Sequence, residues 1–204
     1  LPPIPLSVSQ PAVAPLRIVR DPEQAQTELQ RLSSRTAQTQ QSEARDRVDA
    51  ILAAVRNRGD AAIADFTEQF DGFRPLPMAV PQEELEQAWT TLPTNLRDAL
   101  ELAHRRITDF HQRQRPADLA VTGPHGEQLG RRWRPVQRAG LYVPGGRAAY
   151  PSTVLMNAVP ARVAGVKELV ICSPAGRDGK VNPVVLAAAH LAGVKTVFRL
   201  GGAQ

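Results

Sequence analysis

The chain has 204 residues, enough for one large or two small domains, and its 42% hydrophobic content suits a globular fold with a buried core. No apolar run approaches the roughly 18 residues of a membrane-spanning helix, and a lone cysteine, Cys172, excludes an internal disulfide framework and suits a reducing compartment. The net charge of +5 comes almost wholly from arginine, the lysines being Lys167, Lys180 and Lys195; it is compatible with an anionic ligand, a nucleic acid or a hydrated surface and selects none of them.

The opening segment LPPIPLSVSQPAVAPL (1–16) has prolines among its apolar residues and no charge before Arg17. A secretory signal places positive charge first and an unbroken apolar stretch after it. Residues 1–42 therefore read as a proline-rich and polar extension leading into a helix, with a transit-peptide remnant as the alternative. From Glu43, Val48, Ile51, Leu52 and Val55 recur at helical spacing, and Gly59 stands where a helix would stop. Asp60 is placed to cap a short helix carrying Ile63, Phe66 and Phe70, closed by Gly72. Residues 75–80 read as extended, and Pro81 suits the first turn of a helix through Trp89. Thr94 is placed to cap a longer helix with Leu96, Leu100, Ala103, Ile107 and Phe110 on one face. Two extended arms around GPHG (123–126) predict a hairpin.

Beyond Ala139 the texture changes. GLYVPGG (140–146) is a short apolar strand entering a glycine turn, and the following PSTVLMNAVPARVAGV (151–166) reads as a helix. AGVKELV (164–170) and AGVKTVF (192–198) are related copies: a helix end, a glycine stop, a lysine and a strand. Helix alternating with strand at a period near 30 residues predicts βαβ units and a parallel sheet. The fold class expected is α/β: a mostly helical region with a hairpin over 43–138, then an incomplete Rossmann-like parallel βαβ domain over 139–204. The short apolar strands are those of a sheet with helices on both faces.

Ligands of such sheets bind beyond the carboxyl ends of the strands. Tyr142, Pro144, Gly145 and Gly146 fall there after the first strand, with free N–H groups expected near Ser152 and Thr153; Gly201, Gly202 and Gln204 fall there after the last. The glycines can serve a close backbone approach to a ligand or only a tight turn, and no GxGxxG fingerprint is present. His104 and His111 are seven apart on one helix, ~10 Å along its axis, too far to share a metal ion; with His125 and His190 they read as surface or packing residues. Glu101 and His104 form a Glu-x-x-His pair without the second copy that di-metal bundles require. Cys172 reads as a small buried strand residue, with no base near it in sequence to activate a thiol nucleophile. The basic runs 104–115 and 131–138 lie on polar faces and carry no nucleic-acid-binding signature.

Taken in order, GLYVPGG, the helix after it, ELVICSP (168–174) and FRLGGAQ (198–204) resemble histidinol dehydrogenase, and a weaker resemblance begins near Glu43. The family resemblance implies a cytoplasmic, homodimeric enzyme of histidine biosynthesis that oxidises L-histidinol to L-histidine through the aldehyde, with NAD and zinc. It implies that Tyr142 and Gln204 contact NAD. The zinc ligands and the Glu-His pair of bases are expected beyond Gln204, so no catalytic residue and no metal ligand is assigned. Arg147 and Tyr150 depart from the small or polar residues common after the glycine pair. The chain is expected to be an amino-terminal piece of about half the family's length, unable by itself to oxidise histidinol and prone to self-association. The alternative is a non-catalytic α/β module for an anionic metabolite or partner. Neither a nucleic-acid nor a membrane partner is expected.

Overall fold

The computed structural model describes residues 18–34, 39–145 and 149–204. The prolines of 1–16 and the loop residue Arg147 lie outside these. Two units are distinguished, Leu1–Arg47 and Val48–Gln204. The first holds helix α1, Pro22–Ser34, which the sequence reading missed. Its signal was nonetheless local: Asp21 accepts the Gln24 N–H at 2.9 Å as an N-cap, and Pro22 occupies the first helical position. Helix α2, Thr39–Arg58, runs across the junction.

In the second unit the helices expected from periodicity are present as α3 (Asp60–Asp71), α4 (Gln82–Thr90) and α5 (Thr94–Gln114). Their caps differ from expectation. Gly59, at φ 57°, both ends α2 and starts α3, so Asp60 is already helical and caps nothing. Pro93 takes the same place before α5 and makes Thr94 the first helical residue. Leu96, Leu100, Ala103 and Ile107 enter the core, but Phe110 is 60% exposed, edge-on to His111. The predicted hairpin is β1 (Leu119–Thr122) paired antiparallel with β2 (Gln128–Arg131).

The remainder is a βαβαβ unit: β3 (Arg138–Tyr142), α6 (Pro151–Ala164), β4 (Glu168–Ser173), α7 (Pro183–Leu191) and β5 (Thr196–Arg199), with parallel strands in the order β3-β4-β5. Helix α6 tolerates Pro160 because the carbonyl it frees belongs to Met156, which faces solvent. The repeated glycines end their helices with positive φ, 95° at Gly165 and 69° at Gly193. Gly165→Ala is expected to cost about 1–2 kcal/mol, the penalty of a left-handed L-residue; urea denaturation measures it.

Contrary to expectation, α6 and α7 pack on each other on one face of the sheet. Two successive right-handed crossovers in one direction must lie on the same side; only a reversal of strand order puts a helix on the other. Leu169 and Ile171 are buried with α6 and α7, while the opposite face presents Gly140, Tyr142, Val170, Cys172, Thr196 and Phe198, half-buried to exposed.

The two edges of the sheet also differ. Residues 78–80 close the outer side of β5: the Val80 N–H donates to Val197 O at 2.8 Å and the Arg199 N–H to Met78 O at 2.9 Å. Arg199, nearly buried, fastens them by donating to Pro77 O (2.9 Å), Ala79 O (3.0 Å) and Glu84 Oε1 (3.1 Å). Among the described residues no strand pairs with the outer side of β3.

Candidate functional site

All three strands point their carboxyl ends at one set of loops. The residues Tyr142, Cys172 and Phe198 form one row across the strands in register, so the loops that follow start level with one another. They are drawn together around Pro174. A Cβ on Gly145 would lie 2.5 Å from Pro174 Cγ, and a Cβ on Gly201 would lie 2.5 Å from Pro174 Cβ. Neither glycine has positive φ. Both lack a side chain where main chain closes on the Pro174 ring, a packing reason for glycine within the chain itself.

At this end the structure brings the two sequence-selected residues to one turn. The Tyr142 hydroxyl donates to Gly201 O at 3.0 Å, with 53% of the residue still exposed. Gln204 folds back over Gly202, and its Nε2 donates to Thr67 Oγ1 at 3.3 Å. Thr67 is fully buried on α3, and its own hydroxyl donates to Ile63 O at 2.8 Å. Asp71, the last residue of α3, reaches the same turn: its Oδ2 lies 3.1 Å from where a Gly201 Cβ would stand. Burial pushes the Asp71 carboxyl above its usual range. Sequence reading overlooked Thr67, Asp71 and Pro174. The available signal was an aspartate at a helix C-terminus, where the helix dipole disfavours negative charge.

A hollow of about 730 Å³ opens on the helix face of the same sheet end, lined by Gly145, Ser173, Lys180 and Asn182 among others. Helix starts around it offer fewer donors than expected. Pro151 has no N–H and the Thr153 N–H already donates to Tyr150 O at 3.1 Å; at α7, Pro183 has none and Asn182 Oδ1 takes the Val184 N–H at 2.9 Å.

His190 stacks on Trp89 at 6.2 Å, His111 meets Phe110, and His125 lies in the hairpin turn. Among the described residues no three of His, Cys, Asp and Glu converge, so the zinc of the resemblance finds no fit here and no step is derived through it. Cys172 is half-buried and its thiol is pushed up by desolvation, which keeps it protonated near neutrality. In the basic run 131–138, Arg131 covers the Trp133 ring at 5.1 Å and Arg138 pairs with Glu168 at 2.8 Å. No helix among the described residues is long and apolar enough to cross a membrane.

Parallel strands in βαβαβ order, with glycine loops gathered at their carboxyl ends, define an α/β protein of Rossmann-like type. The family profile of histidinol dehydrogenase matches residues 34–204. The chain is 73% identical, over 98% of its length, to histidinol dehydrogenase of Parasynechococcus marenigrum (strain WH8102), and 64% identical over 93% to that of Prochlorococcus marinus (strain MIT 9313). It spans 46% and 43% of those relatives, less than half of each. The crystal structure of histidinol dehydrogenase from Elizabethkingia anophelis superposes with a TM-score of 0.76 at 31% identity, covering 83% of this chain and 38% of that one. The chain belongs to the histidinol dehydrogenase family, and its extent accords with an amino-terminal part of such a protein.

Proposed function

We propose that this chain supplies part of the NAD site of a histidinol dehydrogenase, a cytoplasmic homodimeric enzyme of histidine biosynthesis that oxidises L-histidinol to L-histidine in two steps by way of the aldehyde. The observation that carries the reading is the meeting of Tyr142, Gln204 and the Gly201-Gly202 turn at the carboxyl end of a parallel sheet. Bound NAD would accept a hydride from the carbon being oxidised. The residues here bind and orient it: the exposed Tyr142 ring offers a stacking surface, the glycines let main chain approach closely, and Gln204 is held at the same turn by its bond to Thr67. The proton-transfer groups and zinc ligands of the whole enzyme are assigned to the length of the relatives that this chain does not span.

Titrating the 204-residue chain with millimolar NAD and following ligand resonances by saturation-transfer NMR tests the reading. Binding is expected, weakened about tenfold or more by Tyr142→Ala, within the 1–3 kcal/mol that an aromatic stacking partner contributes. Equal binding by the variant, or none by either protein, sinks it. Histidinol oxidation by the same chain is expected to stay at background.

A further inference from the structure

The hollow of about 730 Å³ on the helix face of the sheet has an unmet hydroxyl in its wall. Ser173, the last residue of β4, turns to that face because the strand buries Leu169, Ile171 and Ser173 in alternation. The residue is 1% exposed, and its carbonyl accepts the Leu200 N–H at 3.1 Å, but its hydroxyl makes no hydrogen bond. An unpaired hydroxyl in a protein interior is costly. Its Oγ is not one of the partnerless polar atoms cut off from solvent, so the little surface that Ser173 keeps lies at the hydroxyl, open to the hollow.

Two exposed side chains bring further donors to the same space from other segments. Asn182 accepts the Val184 N–H at 2.9 Å through Oδ1, which fixes the amide and leaves Nδ2 to donate elsewhere. Lys180 stands on a loop closed by its own main chain: Gly176 N–H donates to Lys180 O at 2.9 Å, and Lys180 N–H to Asp178 Oδ1 at 3.1 Å. Its ammonium has no ion pair among the described residues. The carboxylates of the lining are engaged, Asp178 with that N–H and Glu84 with Arg199 at 3.1 Å. Helix α7 begins at this rim with its first N–H groups taken up, so an anion drawn by the helix dipole must find its hydrogen bonds on side chains.

We propose that the hollow is a phosphate-binding site, in which Lys180, Asn182 Nδ2 and the Ser173 hydroxyl hold one phosphate group. The three donors come from a loop, a helix start and a strand end. A tetrahedral oxyanion offers oxygens in three directions, whereas a planar carboxylate offers two. A cation would meet the Lys180 ammonium. The volume falls within the ~300–1,000 Å³ of small-molecule sites, so the phosphate arrives on a larger molecule. That molecule is either a dinucleotide, through its diphosphate, or a separate phosphoester; the site itself does not rest on the NAD reading.

The test titrates the isotope-labelled chain with inorganic phosphate at constant ionic strength and follows the amide signals of residues 173–182 by NMR. Saturable shifts are expected in wild type. Lys180→Gln should weaken them about tenfold or more, the loss of a charge-assisted bond. Asn182→Asp keeps the oxygen that caps α7 and sets a negative charge where the donor stood, so it should fold as wild type and bind no phosphate detectably. Ser173→Ala removes a hydroxyl that has no partner in the chain. It should lose about tenfold in affinity yet melt no lower than wild type, which a structural role for the hydroxyl would not allow. No saturable shift, an affinity unchanged in any of the three variants, or a lowered melting temperature for Ser173→Ala overturns the proposal. Displacement of phosphate by NAD assigns the group to the dinucleotide, and displacement by adenosine monophosphate but not NAD assigns it to a separate phosphoester. If phosphate binds and NAD binds nowhere, the proposal stands and the cofactor reading falls.

Discussion

Arg199→Ala is expected to lower the free energy of unfolding by about 3–4 kcal/mol, with Arg199→Lys in between, as read from urea denaturation. The guanidinium binds two main-chain carbonyls, Pro77 O and Ala79 O, on a segment that closes the outer side of β5. Alanine leaves both acceptors unmet, at about 1–3 kcal/mol for each that stays buried. Glu84, its third partner, is 40% exposed, so that ion pair adds little. Lysine can meet one or two of these acceptors with a point charge but cannot span them as the planar fork does. A loss under 1 kcal/mol would mean that the strand pairing at 78–80 holds without its clamp.

Gly201→Ala should have the next largest effect, about 2–3 kcal/mol in stability together with loss of detectable NAD binding. The added methyl would stand 2.5 Å from Pro174 Cβ and 3.1 Å from Asp71 Oδ2. The proline ring cannot swing away, so the turn itself must move, taking with it the carbonyl that receives the Tyr142 hydroxyl. Gly140→Ala is the internal comparison. It lies in β3 with no positive φ, and nothing stands within 4 Å of its added carbon. It should be neutral or stabilise by about 0.4–1 kcal/mol through the unfolded chain. Parallel melts of the two variants decide the matter: equal losses would show that contact with Pro174 is not the cause.

Local chemistry carried much of the fold into the sequence. Gly59, Gly72, Gly165 and Gly193 stand where helices end because they adopt a backbone that other residues resist, and composition exposes that directly. The duplicated glycine-lysine-strand pattern announced β4 and β5 for the same reason. The face on which α6 and α7 lie is a property of connection order, which no single segment encodes. Phe110 belonged to the right periodic stripe, yet it stays largely exposed, edge-on to His111. The meeting of Tyr142 and Gln204 at one end of the sheet was legible because strand ends and glycines coincide there. That end was illegible where the contributor came from elsewhere in the chain: Thr67 and Asp71 are 137 and 133 residues from Gln204, the first separation being that of its hydrogen bond and the second the difference of the residue numbers.

The unequal flanks of the sheet govern what can be built onto it. In β3 the Val143 N–H and the Gln137 carbonyl turn inward to β4, so the alternate groups of Gly140 and Tyr142 turn outward. With the flank of β5 already taken by residues 78–80, a newcomer strand can enrol only alongside Tyr142. If it runs parallel, its own carboxyl tip arrives beside the tyrosine ring, so enlarging the sheet and walling the proposed nucleotide cleft become a single act of assembly.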